Sequence, residues 1–150
     1  MHGNAAFFIW VFLLAGCQRP PLSAPENGSE PVGGSLPGTY VLHDIWALES
    51  FRGRAVKSGD FSKGLPILEI YVAEGRMLGH TGCNQLEGTV ETGGNAIAFK
   101  NLTVAKVPCR SGFETDFMRG LKQADAYSVK NLRLVLLRKH RQLMVFRKID

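Results

Sequence analysis

Three cysteines, Cys17, Cys83 and Cys109, and four histidines carry the widest chemical repertoire in this 150-residue chain. A zinc centre would need His80 to join Cys83 and Cys109, which gives three ligands at most and none of the paired spacings of structural zinc sites. Thiol redox catalysis calls for a Cys-x-x-Cys pair whose geometry lowers one thiol's pKa, and Cys83 and Cys109 stand far apart in sequence. Hydrolysis needs a nucleophile with a base in hydrogen-bond reach, yet neither a Gly-x-Ser-x-Gly elbow nor a His-Glu-x-x-His pattern occurs. His43-Asp44 reads as a solvated turn. Glu69, Glu87, Glu91 and Asp116 read as surface charges rather than a general acid and base. The sequence thus predicts no catalytic residue, no metal and no cofactor.

Cys17 has a separate context. Ala5 to Ala15 reads AAFFIWVFLLA, an uncharged apolar run. As a helix it would be roughly 17 Å long, against a bilayer core of about 30 Å. It has the length of a signal-peptide h-region and ends in the small residues Ala15 and Gly16. Met1 to Asn4 hold no Lys or Arg, so the basic leader usual before such a run is not among them. The order Leu14-Ala15-Gly16-Cys17 resembles the lipobox of bacterial lipoprotein precursors. The resemblance implies cleavage after residue 16, a diacylglyceryl group on the Cys17 thiol and an acylated amine. Two or three acyl chains, at about 0.8 kcal/mol per buried methylene, make a durable anchor where one does not. The implied partner is the membrane of a bacterial envelope, with the domain facing the periplasm. Gln18 follows the cysteine where Asp would resemble an inner-membrane retention signal, so the outer membrane is favoured.

Residues 18–38 hold five of the seven prolines and almost no large apolar side chain, so they cannot bury enough surface to offset their ordering entropy. The segment reads as a tether spanning roughly 25 Å. Asn27-Gly28-Ser29 matches a glycosylation sequon and is assigned no role. Export to an oxidising compartment makes a disulfide the default for the two cysteines left over, Cys83 and Cys109. The organisation is therefore a signal peptide over 1–16, a lipidated cysteine and tether over 17–38, and one domain over 39–150.

That domain must position whatever the chain does. Apolar residues alternate in short runs bounded by Gly, Asn or charge, which predicts strands at 46–51, 66–73, 76–80, 88–92, 96–99, 102–107, 127–129, 132–137 and 143–148. Glu74-Gly75 and Gly93-Gly94-Asn95 suit hairpin turns, because they accept positive φ. One segment follows the helical period: Phe113, Phe117, Leu121 and Ala124 fall on one face, with Ser111 and Glu114 placed as a capping box. Gly120 inside that helix predicts a close backbone contact. The expected fold is mostly β (α+β), a small antiparallel sheet or partly open β-barrel with one packed α-helix.

Trp46, the run Gly79-x-x-Gly82-Cys83-Asn84-x-x-x-Gly88, Cys109 ahead of a helix with Glu114 and Phe117, and Leu132-x-Leu134 together resemble the META-domain (HslJ-like) family. The resemblance covers most of residues 45–148, and the Gly-Cys-Asn motif with its downstream glycine is its most specific part. It implies a compact, mostly β domain with one packed helix, often exported or lipidated, linked to stress and envelope integrity and without an established enzymatic activity. Ala105 stands where members often carry Thr, and the insertion from Arg52 to Gly64 is longer than the family turn. Gly82 and Gly88 have a structural reading as positions of unusual φ, and Asn84 as a backbone cap or, alternatively, a binding group.

Formal net charge is +5, well short of a nucleic-acid-binding tail, so no nucleic acid is expected; an envelope protein or small ligand remains the open partner class. Arg138, Lys139, His140 and Arg141 cluster at the turn of the last hairpin, with Arg133, Arg147 and Lys148 alongside. They read either as a surface for anionic lipid or cell wall, or as solubilising, edge-protecting charge. An enzyme assembled only in three dimensions predicts a deep pocket with convergent polar groups. A ligand-binding barrel predicts an open interior not filled by Trp46, Phe99 and Phe117.

Overall fold

The two-residue alternation carries through into nine strands, all paired antiparallel. The computed structural model describes residues 41–109 and 112–149. The strands are β1 (Asp44–Phe51), β2 (Arg54–Ala55), β3 (Ile67–Tyr71), β4 (Arg76–His80), β5 (Gln85–Gly93), β6 (Ala96–Val104), β7 (Ala126–Lys130), β8 (Arg133–Arg138) and β9 (Arg141–Lys148). Helix α1 (Phe113–Gln123) joins β6 to β7. Cys17 and the segments over 1–38 lie outside the described residues.

Strand order runs β2-β1-β3-β4-β5-β6-β7-β8-β9, and β9 pairs back onto β1 from Trp46↔Lys148 to Phe51↔Met144. The sheet is therefore a ring, with β2 a short appendage on β1. It is not a regular barrel, because β6 and β7 meet at one bridge, Ala96↔Ala126. Helix α1 lies beside that seam. Its buried residues Phe117, Gly120 and Leu121 face the interior, and a Cβ on Gly120 would stand 2.2 Å from Met144 Cε. The close contact expected of Gly120 is thus with β9.

Inward residues alternate along every long strand. Trp46, Leu48, Leu68, Ile70, Met77, Leu86, Val90, Ile97, Phe99, Phe117, Leu134, Leu136, Met144 and Phe146 form one buried cluster. Trp46 Nε1 donates to the carbonyl of Leu42 at 3.0 Å, so the indole is buried without an unpaired donor. Trp46, Phe99 and Phe117 are at most 5% exposed, so the interior is filled and lacks the open apolar cavity that a ligand-holding barrel requires.

Three expectations are corrected. The runs at 96–99 and 102–107 are one strand: β6 passes through Asn101 at φ 51°, and its register on β5 shifts between Glu87 and Thr89. That bulge breaks the alternation that separated the two runs. Gly88 carries no positive φ; its requirement is space, since a Cβ would lie 2.6 Å from Leu102 and 2.9 Å from the Lys100 carbonyl. The helix start also differs from the expected one. Ser111 lies outside the described residues, Gly112 is the N-cap with no side-chain capping bond, and Glu114 turns its carboxylate elsewhere.

Candidate functional site

The Gly-Cys-Asn motif occupies the turn between β4 and β5. The turn closes on itself, because the Thr81 N–H donates to the Asn84 carbonyl at 2.9 Å and the Asn84 N–H donates to Thr81 Oγ1 at 3.0 Å. Thr81 and Asn84 are each 2% exposed and are the buried polar side chains of the described core. Their polar atoms must then find partners inside the protein.

Those partners come from the far side of the seam. Thr81 Oγ1 donates to Glu114 Oε2 at 2.6 Å. Asn84 Nδ2 donates to the Val107 carbonyl at 2.8 Å and to Glu114 Oε2 at 3.0 Å, and lies 3.0 Å from Cys109 Sγ. A disulfide joins Cys83 to Cys109. The turn is thereby fastened to the strap between β6 and α1 by the disulfide and the Asn84–Val107 hydrogen bond, and to the first turn of α1 by two hydrogen bonds to the Glu114 carboxylate. Charge-assisted bonds of this kind are roughly twice as strong as neutral ones. Asn84 Oδ1 has no hydrogen-bond partner among the described residues.

The glycines of the motif make this closeness possible. Gly82 has φ 86°, and a Cβ there would stand 2.6 Å from the Phe61 ring. Phe61 belongs to the long insertion after β1, which folds as β2 and a 3-10 turn at Ser58–Asp60. The insertion is pinned where the Lys63 N–H donates to the Gly82 carbonyl at 2.9 Å. Phe61 then meets Phe113 edge-on at 4.9 Å. A cleft of about 120 Å³ remains between these parts, lined by Asp60, Phe61, Ser62, Thr81, Cys109 and Glu114. It is smaller than a drug-sized pocket, for which 300 Å³ is roughly the lower bound.

His80 does not join the cysteines as a ligand set. Its Nδ1 accepts the Gly82 N–H at 3.1 Å. Burial pulls the imidazole below its ordinary pKa, the Lys63 cation pulls it further and Glu69 opposes them. Among the described residues no group of His, Cys, Asp and Glu is arranged to hold a metal ion. Of the scattered carboxylates, Asp116 pairs with Arg119 at 2.7 Å, Glu91 with Lys100, and Glu87 accepts from Thr103. Asp44 pairs with Lys148 at 2.9 Å, and His43 meets Tyr71 edge-on. Glu69 accepts from the Tyr71 hydroxyl at 3.0 Å, so each of these carboxylates has a local partner, while Glu69 and Glu87, in register on either side of Leu78, line one open cleft across β3, β4, β5 and β6.

Sequence reasoning named Gly79, Gly82, Cys83, Asn84, Cys109 and Glu114, all of which the fold gathers here; Trp46 and Gly88 sit in the core and the β5–β6 bulge. It missed Thr81, Phe61 and the Val107 carbonyl. A hydroxyl between glycines and a phenylalanine in an insertion carry no periodic signal. Replacing Glu114 by alanine would strand the Thr81 hydroxyl and one Asn84 N–H, so a loss of about 2 kcal/mol is expected by urea unfolding. Glu114→Gln should restore part of it. A change below about 0.5 kcal/mol would show that this carboxylate is not their acceptor.

A closed antiparallel ring, one helix beside its seam and a disulfide-fastened Gly-Cys-Asn turn define a class of small, mostly β domains stapled by a single bridge. More particularly, residues 40–150 match the META domain family model, and the chain belongs to that family. No curated protein matches it. Among solved structures it is similar to a protein from Burkholderia xenovorans determined by NMR, at 20% identity and TM-score 0.61, covering 75% of this chain and 87% of that one. It is also similar to a DUF4847-family protein from Bacteroides vulgatus, at 17% identity and TM-score 0.52, covering 72% and 95%. These likenesses concern the fold.

Proposed function

We propose that the chain is a lipid-anchored protein of the bacterial cell envelope, facing the periplasm from the outer membrane, and that its META domain is a non-enzymatic binding or stabilising module in envelope or heat stress. The observation that carries the anchor is the pairing of Cys83 with Cys109, which leaves Cys17 as the one cysteine outside the disulfide. That cysteine directly follows Leu14-Ala15-Gly16 at the end of an apolar run of h-region length. The module reading is supported by how the polar core is used. Thr81, Asn84 and Glu114 direct most of their hydrogen bonds to one another and to the strap, which holds a shape.

The test is metabolic labelling with palmitate in a bacterial host, read together with membrane fractionation. The unmodified chain should take up label, sediment with the outer membrane and show a mature N-terminus at Cys17. Cys17→Ala should abolish the label and release the protein from the membrane. Label that persists in Cys17→Ala overturns the anchor.

A further inference from the structure

Positive charge is not spread evenly over the ring. From Ala126 to Ile149, the span of β7, β8 and β9, there are seven Lys and Arg and no Asp or Glu. Arg133 is bound bidentately by Glu49, at 2.7 and 3.1 Å, and Lys148 pairs with Asp44. Lys130, Arg138, Lys139, Arg141 and Arg147 are exposed and form no salt bridge among the described residues, although the Arg147 charge acts on Glu49 and the Asp125 carboxylate accepts the Lys139 N–H. On β3, β4 and β5 the balance reverses: residues 67–93 hold Glu69, Glu74, Glu87 and Glu91 against Arg76 alone. In sheet order these two groups of three strands are separated by β1 on one side and β6 on the other, so the domain has one basic and one acidic flank.

Basic residues on a strand ordinarily serve to block edge-to-edge pairing. For β8 and β9 that role has no object, whereas β7, which carries Lys130, meets β6 at one bridge and keeps an open edge beyond it. β8 is paired along its length with β7 and β9, and β9 with β8 and β1. In the middle of the basic outer surface the half-buried side chains of Val135, Leu137 and Val145 alternate with the buried Leu134, Leu136, Met144 and Phe146. The tight turn at Lys139 and His140, with φ 44° and 66°, presents Arg138 and Arg141 side by side across the last register pair.

We infer that the outer surface of β7–β9 docks the domain on anionic phospholipid headgroups, with the acidic flank held away from the leaflet. The choice of occupant rests on the anchored reading above: a tether of roughly 25 Å keeps the domain at high effective concentration beside headgroup phosphates, so even weak contacts are populated. Each unpaired cation near such a surface contributes about a fivefold gain in partitioning.

The experiment uses residues 18–150, which contain the whole closed ring with its core and lack the acyl anchor. Failure of docking and failure of the anchor are thereby read separately. Flotation with phosphatidylcholine vesicles containing about one-third phosphatidylglycerol is compared with pure phosphatidylcholine. At least tenfold preference for the anionic vesicles is expected, declining as salt is raised. Replacing Lys130, Arg138, Lys139, Arg141 and Arg147 with Gln should remove that preference. A control that removes as many charges from Arg54, Lys57, Lys63, Lys106 and Lys122 should largely retain it. Equal loss in both variants would reduce the effect to net charge and overturn the surface. In the unsubstituted chain, paramagnetic headgroup lipids should broaden amide signals of β7–β9 and spare β3–β5. Uniform broadening, or none, also overturns it. A concentration-dependent dimer lost in the first variant would assign the basic surface to a second copy's acidic flank instead, and would overturn the lipid assignment.

Discussion

Gly79→Ala is expected to destabilise the domain by about 3–5 kcal/mol, a large share of the stability of any domain this size. Gly79 lies within β4, paired with Leu68 on β3, at φ 154°. A Cβ built there would stand 2.0 Å from the backbone carbonyl oxygen of Ile67 and 2.9 Å from its carbon. Backbone in the middle of a ladder cannot swing aside like the end of a long side chain. Relief requires β3 and β4 to separate, which breaks pairs on both sides of the residue and shifts the turn that carries Thr81 and Asn84. Urea unfolding of Gly79→Ala beside Gly53→Ala separates space from dihedral strain. Gly53 also has positive φ, at 79°, but nothing lies within 4 Å of its added Cβ, so its substitution is expected to cost about 1–2 kcal/mol, the strain alone. Equal losses at the two positions would refute the steric account.

Removing the disulfide is expected to cost about 3.5 kcal/mol, the chain-entropy value for the 26-residue separation of Cys83 and Cys109. Calorimetric work disputes the entropic mechanism without changing the direction. The hydrogen bonds around the bridge set how the loss should appear. Asn84 Nδ2 and Glu114 still link the turn to the strap in the reduced state, so the reduced protein should retain its fold with a lower urea midpoint rather than unfold outright. Cys83→Ser/Cys109→Ser combined with Glu114→Ala leaves little beyond the Asn84–Val107 hydrogen bond and is expected to lose more than the sum of the separate losses, because bridge and carboxylate hold the same turn. Strict additivity would mean that bridge and carboxylate act independently.

The strands and the helix are legible in the sequence because each rests on a short-range signal, and the cysteine pairing follows instead from setting Cys17 aside, which leaves one pair. Alternation in Leu134, Leu136, Met144 and Phe146 marks the inner face, and the spacing of Phe113, Phe117 and Leu121 marks the helix. Ring closure between β1 and β9 was not legible. It depends on pairing across nearly the whole domain, Trp46 with Lys148, which leaves no local trace. For the same reason Glu114 was read as a helix cap: its spacing from Ser111 fits one, but Thr81 and Asn84, some thirty residues earlier, compete for its carboxylate and hold it. Gly88 and Gly79 looked alike as glycines in a motif, yet one makes room for a neighbouring strand at ordinary dihedrals and the other combines crowding with positive φ.

The single bridge between β6 and β7 sets where this molecule breathes. Amide exchange should be fastest at Ile97 and Tyr127, whose N–H groups cross the seam to the Asp125 and Asn95 carbonyls, and along α1, and slowest on β1, β8 and β9, because opening at Ala96↔Ala126 disrupts none of the other ladders. That opening frees two strand edges at once and uncovers Phe99 and Tyr127, the combination that templates intermolecular sheet growth. Helix α1, anchored through Cys109 to the β4–β5 turn, then acts as the shutter over an aggregation-prone gap. An oxidised protein should outlast a reduced one against amyloid-like assembly by more than their difference in global stability accounts for.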